Sequence, residues 1–412
     1  MRIAMVSAHT SPLAPLGGRE TGGMNVYVLE LSRELAALGC NVDIFTRRDG
    51  DLPHVEPVAP GLRLVRIDAG PAALIEKEAI VAHLPEFVRN LQTFACAAPA
   101  YDLIHSHYWQ SGWAGTILAR RLALPHVVMF HTLGEVKNRA RFGEAEPTLR
   151  IRHERTIARR ADAIVTASNH ERQLLERYYG ADPAKIHAVP CGIDLERFRP
   201  LPRSEARARL GLPADVPILL WVGRVERLKG LEILIDAVAG LERSDARLLI
   251  VGGDERAAPL CAELEAQARA LGIADRITFT GAVDHASLPW YYSAADICVV
   301  PSFYESFGLV AVEAMACGTP VVASRVGGLT ATVIDGVTGY LIPWRCPEPF
   351  SEKLDVLLAN PELRANFGRA ARASVERFRW STVARRIAEV YETALERRGR
   401  RPTLSPAAIA DR

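Results

Sequence analysis

The sequence predicts an α/β protein made of two parallel-sheet domains facing a cleft. Three observations carry this reading. Short β-branched apolar runs such as Ile218–Val222 and Ile297–Val300 recur along the chain, each followed by a helical pattern, as in strands buried on both faces. Ligand-type groups stand just past these runs in both halves, where open parallel sheets bind ligands. A chain of 412 residues favours two domains over one, and a cleft between domains is a preferred ligand site.

The elements follow in order. Arg2 to Ala8 reads as a strand, followed by a loop with Gly17-Gly18 and then Thr21-Gly22-Gly23-Met24-Asn25. Val28, Leu31, Leu35 and Leu38 mark the helix face after it, and Gly39 stops it. The unit lacks Gly-x-Gly-x-x-Gly and is no dinucleotide fingerprint. Its glycines read either as a tight turn or as room for close backbone approach to an anion. Strands are expected at 42–46, 62–67, 103–107, 127–130 and 163–167. Lys77 lies in the polar stretch before the fourth of these seven-residue-or-shorter runs, counting from Arg2. His105 and His107 share one strand face, and without a third ligand nearby they read as a hydrogen-bonded strand end rather than a metal site. His131 stands just past a strand end, either structural or at a ligand. Arg150 and Glu154, four apart on a helix, read first as an ion pair. Four prolines between Arg199 and Pro217 place a linker there.

The second half repeats the alternation, with strands at 218–222, 248–251, 277–280, 297–300 and 321–323. Arg224 and Lys229 flank a loop at a strand end, where a guanidinium fork and an ammonium suit a diphosphate. The stretch Pro301 to Pro320 organises this half: a strand, a turn, then a helix with Ser306 as its N-cap, ending at Gly318. Glu305 and Glu313 frame it; eight helical residues between them would span about 12 Å. That exceeds the roughly 5–9.5 Å of a hydrolase carboxylate pair and suits a long ligand held at two points. The helix N-terminus between them offers amides for a phosphate. The resulting domain reading is 1–198, linker 199–217, 218–375, a C-terminal helix 376–398 whose apolar stripe (Trp380, Val383, Ile387, Val390, Tyr391, Leu395) needs a partner surface, such as the first domain, and a disordered tail 399–412.

Composition excludes several classes. A net charge of +2 offers no footprint for nucleic acid. Seven scattered cysteines without Cys-x-x-Cys spacing indicate a reducing, cytoplasmic compartment and no structural zinc. No apolar run is long enough to span a membrane. Exposed helix stripes permit a homodimer.

In combination, Gly22-Gly23, His131, Gly223-Arg224 with Lys229-Gly230, and Glu305 with Glu313 resemble the retaining glycosyltransferases of the GT-B fold, two Rossmann-like domains, in the large family that includes sucrose-phosphate synthases. The resemblance covers Met1 to about Leu395. It implies transfer of a sugar from a nucleotide donor to a hydroxyl, with retention and with no cofactor or catalytic metal. The first half is similar to the branch that makes the first mycothiol intermediate, moving N-acetylglucosamine from UDP to an inositol phosphate. The runs are Ser7-Ala8-His9-Thr10-Ser11-Pro12, Gly22 to Tyr27, His105 to Trp109, and His131-Thr132-Leu133 with Val136-Lys137-Asn138. That branch implies a phosphate cradle of Lys77, Tyr108, Thr132 and Arg150, with His9 and Asn25 near the inositol ring. Gly17-Gly18-Arg19-Glu20 departs from the branch, and the His-Thr-Leu-Gly run is shared with sucrose-phosphate synthases, so a hexose phosphate is the other acceptor.

The expected roles follow. Arg224 and Lys229 neutralise the diphosphate with amides near Gly23 and at Leu309-Val310. Glu313 takes the ribose, Glu305 the donor sugar, and His131 orients that sugar. An epimerase of the same fold would lack the acceptor cluster, and a non-catalytic sugar-binding subunit would lack Lys229 or a glutamate.

Overall fold

The computed structural model describes residues 1–14, 22–140, 145–343 and 346–400. The departing loop Gly17 to Glu20, with Thr21, and the tail from 401 onward lie outside the described residues. The chain forms two compact units. The first comprises the described residues up to Arg139, Ala145–Gly192 and the chain from Trp380 onward; the second is built on Ile193–Arg379.

The first unit holds an eight-stranded sheet: β1 (Arg2–Val6), β2 (Asn41–Arg47), β3 (Val55–Ala59), β4 (Leu62–Ile67), β5 (Leu103–His107), β6 (His126–Met129), β7 (Ala163–Thr166) and β8 (Ile186–Ala188). Their order is β3-β4-β2-β1-β5-β6-β7-β8, and all pairs are parallel except β3 with β4. The continuous apolar runs are accounted for by burial: Ile3, Met5, Val6, Ile44, Phe45, Val127, Val128 and Ile164 are all fully enclosed. The chain winds outward from β1 in one direction and from β5 in the other. The crevice between their carboxyl ends is therefore the topological switch point, where such sheets take ligands.

The second unit repeats the plan with six parallel strands: β9 (Ile218–Val222), β10 (Arg247–Val251), β11 (Ile277–Gly281), β12 (Ile297–Val300), β13 (Val321–Ser324) and β14 (Gly339–Ile342). The order β11-β10-β9-β12-β13-β14 puts the switch point between β9 and β12. One core cluster joins Trp221, Leu234, Ile250, Val299 and Phe350 across the sheet. Residues 199–217 contain a helix, Arg203–Arg209, whose buried Arg207 binds Asp296 at 2.8 Å. The helix Trp380–Arg397 packs on the helix Gly23–Ala37, and its Tyr391 hydroxyl meets His105 Nδ1 at 2.7 Å. Among the described residues, no helix is long and apolar enough to cross a membrane.

One local expectation is corrected. The helix after β12 runs Leu309–Ala316, with Gly308 rather than Ser306 as N-cap. Gly308 sits at φ +90° and supplies no side chain. The preceding turn is pinned elsewhere: Gly328 N–H donates to the Glu305 carbonyl at 2.9 Å. At Gly327, φ +48°, a Cβ would lie 1.9 Å from that same oxygen. Glu305 is thus outside the helix, and Glu313 is one turn inside it, so the span computed for eight helical residues does not apply. Four helical residues cover about 6 Å.

Candidate functional site

Two groups of polar side chains gather at the two switch points, one in each unit. In the first unit, His9 follows β1, Tyr108 opens the helix Tyr108–Leu122 after β5, and His131 follows β6. Tyr108 at φ 73° and His131 at φ 61° are two of the three non-glycine residues with positive φ among the described residues. Such strain persists where the surroundings over-determine it, commonly at functional sites. At His131 the device is a three-residue turn: Thr132 N–H donates to the Phe130 carbonyl at 2.7 Å.

Tyr108 is the hub of the acceptor set named from the sequence. Its ring lies 4.7 Å from the His9 ring; the Lys77 ammonium stands 5.0 Å and the Arg150 guanidinium 4.9 Å from its centroid. Thr132 joins through Arg150, which donates to its carbonyl at 2.9 Å and its hydroxyl at 3.0 Å. Lys77, Tyr108, Thr132, Arg150 and His9 are therefore brought together. Asn25 is at the N-terminus of its helix and is fully engaged there: Oδ1 accepts from Gly22 N, and Nδ2 donates to Thr10 Oγ1 and the Ser11 carbonyl. Gly22 is extended at φ −174°, and a Cβ there would meet nothing within 4 Å. The tight-turn reading of Gly22 therefore does not hold, because any residue adopts that backbone.

Arg150 also makes the expected ion pair with Glu154, at 2.7 Å, and a second with Glu146, also at 2.7 Å. Arg150 is 1% exposed and Glu154 0%. Burial opposes the guanidinium's charge, but Glu154 and Glu146 outweigh it and raise its pKa. Glu154 is held in turn by the Tyr179 hydroxyl at 2.6 Å and by Gly134 N–H. Glu146 also pairs with Lys137. Sequence reading missed Glu146, Lys137 and Tyr179 as members of this network. The Glu/Lys spacing carries no helical register, so tertiary structure alone unites them.

The histidines form a ladder. His105 and His107 rings are 4.2 Å apart; His107 Nδ1 meets His131 Nε2 at 3.0 Å and His107 Nε2 meets Met5 Sδ at 2.8 Å. The pair reads as hydrogen-bonded, as expected of a strand end. A thioether only accepts, so His107 carries its proton on Nε2 and accepts at Nδ1. His131 then donates from Nε2, which leaves its Nδ1 as an acceptor. Burial drives the His131, His9 and His105 pKa values down to about 3, with Lys77 adding to the effect at His9. These rings are neutral near pH 7.

In the second unit the groups stand on the segments that follow β9 and β12. Arg224 is 63% exposed and pairs with Glu226 at 2.7 Å. Lys229 Nζ donates to Glu305 Oε2 at 2.7 Å, so the ammonium and the first glutamate are one unit. Ser302 Oγ approaches the same oxygen at 3.4 Å. Gly230, in the left-handed region at φ +68°, lets this loop reach Pro301, whose carbonyl would lie 2.2 Å from a Cβ. Leu309 and Val310 begin their helix without a side-chain cap, leaving its first amides to other partners. Glu313 is 7% exposed, accepting from the Tyr292 hydroxyl at 2.7 Å and lying 3.3 Å from His285 Nε2. Arg197 donates to His285 Nδ1 at 3.1 Å, which puts the imidazole proton on Nε2 toward Glu313. His285 and Tyr292 were not singled out from the sequence, although both lie just N-terminal of β12.

Residues 202–374 match the family model of glycosyl transferases group 1, and residues 21–197 that of glycosyltransferase family 4. A D-inositol 3-phosphate glycosyltransferase of Catenulispora acidiphila is 44% identical over 407 residues, covering 96% of this chain and 95% of that protein. The sucrose-phosphate synthase structure from Thermosynechococcus elongatus is 38% identical with a TM-score of 0.89, covering 96% and 99% of the two chains. An Anabaena protein solved in complex with UDP shares the fold at 23% identity and a TM-score of 0.76, over 94% and 99%. Matched in both halves and along its length by enzymes of one kind, the chain belongs to the group 1 glycosyltransferases of the GT-B fold.

Proposed function

We propose that this glycosyltransferase moves a sugar, with retention, from a UDP-sugar (UDP-N-acetylglucosamine or UDP-glucose) to a hydroxyl of a phosphorylated acceptor, inositol phosphate first. The observation that carries the reading is the convergence of Lys77, Tyr108, Thr132 and Arg150 beside His9 at the strained end of β5. Two cations and two hydroxyls suit a phosphate dianion. The relative named for D-inositol 3-phosphate supports the inositol class. Similarity to sucrose-phosphate synthase supports a second reading, a hexose phosphate acceptor. UDP is supported by the neighbour solved with it.

On this reading, the second unit holds the donor. Arg224 and Lys229 neutralise the diphosphate, with the amides of Leu309 and Val310 and those at Gly23 as further donors. The open space at Gly22 supports such an approach. Glu313, oriented by Tyr292 and His285, keeps lone pairs for the ribose hydroxyls. Glu305 takes hydroxyls of the donor sugar. His131 Nδ1, unprotonated, accepts a sugar hydroxyl and orients the ring. The acceptor oxygen attacks the anomeric carbon on the face the phosphate leaves. The C–O bond to UDP breaks as the new one forms, and the departing phosphate oxygen takes the acceptor's proton.

The test is product mass spectrometry and NMR with UDP-sugars and a panel of inositol phosphate, hexose phosphates and their dephosphorylated forms. The expected result is an α-linked product from α-configured donor with a phosphorylated acceptor. Equal use of free inositol or free hexose would remove the phosphate cradle from the reading.

A further inference from the structure

We propose that Glu146 is an internal stand-in for the acceptor's phosphate: its carboxylate holds the seat on Arg150 and Lys137 that the phosphate takes, and binding displaces it. The inference rests on the reading that the Tyr108 cluster receives a phosphate.

A guanidinium has five N–H groups. Arg150 commits Nε to Glu154 at 2.7 Å, one NH1 hydrogen to Glu146 at 2.7 Å, and its NH2 hydrogens to the Thr132 carbonyl and hydroxyl at 2.9 and 3.0 Å. One N–H remains, on NH1. A fork grip on phosphate uses two parallel N–H groups, so one present partner must yield. Glu154 is fully enclosed and is also bound by Tyr179 and Gly134. Thr132 belongs to the turn that holds His131. Glu146 has neither constraint. Its side chain is 14% exposed, and its backbone is secured independently by Asn138, whose Oδ1 accepts from Glu146 N at 2.6 Å. Swinging the carboxylate away frees Arg150 NH1 and the Lys137 ammonium together.

The exchange makes the site selective by charge. A phosphate monoester carries about −1.5 to −2 at pH 7. It gains over the single charge it replaces. A carboxylated acceptor only trades like for like, and an uncharged one loses two ion pairs. Glu146 thus acts as a specificity-determining residue, one that penalises every acceptor lacking a dianion. It also gives the half-buried Lys137 a counter-charge and the enclosed Arg150 a second one.

The experiment is calorimetric titration of the full-length protein with inorganic phosphate, alongside acceptor KM with inositol phosphate. Glu146→Gln keeps the hydrogen-bond acceptor and removes the charge; it should bind phosphate about tenfold more tightly and lower the acceptor KM, with donor KM unchanged. Lys137→Met, which leaves the Arg150 contacts to Glu154 and Thr132 in place, should bind phosphate more weakly and serves if the first variant fails to fold. Phosphate binding that depends on Arg150 but is unchanged or weakened in Glu146→Gln, or unchanged in Lys137→Met, overturns the stand-in while leaving the cradle in place. Phosphate binding indifferent to both Lys77→Ala and Arg150→Ala, together with equal use of free inositol, removes the cradle and the stand-in with it.

Discussion

The two units hold their charged side chains in opposite ways. The first buries its charged groups: Arg150 is enclosed between two carboxylates, and a ladder of neutral histidines runs from His105 through His107 to His131. The second keeps Arg224 largely in solvent and Lys229 on a loop, each with one carboxylate partner. His285 alone of the eleven histidines lies in the second unit. A buried site is rigid and selective but couples binding to stability. An exposed one separates the two, so its charges can change partners without disturbing the fold.

The comparison can be broken most directly by truncating both arginines. Arg150→Ala leaves Glu154 buried and unpaired, so it should cost about 3–5 kcal/mol of stability, and the acceptor KM should rise at least tenfold. Arg224→Ala should leave the denaturation midpoint almost unmoved and weaken UDP binding about tenfold. Similar stability losses in both would erase the distinction. Acid should divide the units next. His9, His105 and His131 titrate near 3 and His126 near 4 in the folded state, all by burial, against about 6.5 when unfolded. Their contribution is complete above pH 6.5 and is lost as pH falls toward the folded values. Glu171, raised to about 7 by burial, and Glu154 and Glu392, also raised by burial, act the other way, but the histidines lowered by burial outnumber them. Hydrogen exchange, corrected for its intrinsic pH dependence, should therefore show the first unit losing protection between pH 6.5 and 4.5 while the second holds. Parallel loss in both would refute this.

Two smaller effects sharpen the comparison within each site. Glu313→Gln should lose affinity for bare UDP several-fold, whereas Glu305→Gln should bind UDP nearly as well as the parent and lose turnover of the whole donor. Equal effects on UDP would count against separate roles. Met5→Leu removes the acceptor that fixes the His107 proton. Nitrogen-15 spectra should then show His131 shifting from a pure Nε2–H form to a mixture of tautomers, with a drop of a few-fold in kcat and little change in KM. An unchanged His131 spectrum would cut Met5 out of the ladder.

What the sequence made legible follows from how each feature is encoded. Buried parallel strands are written as short contiguous apolar runs, so β9 and β12 could be read directly. β3 includes Pro57 and a partly exposed Glu56, β8 has three residues, and β14 follows a glycine turn; none has such a run, and all three escaped. Tyr108 and Arg150 were joined in one site only by resemblance, because no local pattern joins residues 42 apart. Glu146 escaped because a carboxylate in a polar stretch looks solvated until a buried guanidinium is folded against it. Ser306 was a good cap by composition, but the Gly328 bond to the Glu305 carbonyl and the close approach of Gly327 to it took precedence over that local preference.

The helix Trp380–Arg397 carries one more consequence, in the order of synthesis. It belongs to the first unit, yet the whole second unit is translated before it. Trp380 packs edge-on against Tyr27 and fills the space that glycine leaves at position 192, where a Cβ would lie 2.1 Å from the indole; Tyr391 closes on His105. At about 5–20 residues per second, nearly 200 residues separate the emergence of Gly192 from that of Trp380, a delay of some tens of seconds at the slower rate. Through that interval the nascent first unit presents an uncovered apolar face along its opening helix, and the ribosome-bound chain lacks the last support of the histidine ladder. Vectorial folding thus completes the second unit first and withholds the first until the polypeptide is nearly finished.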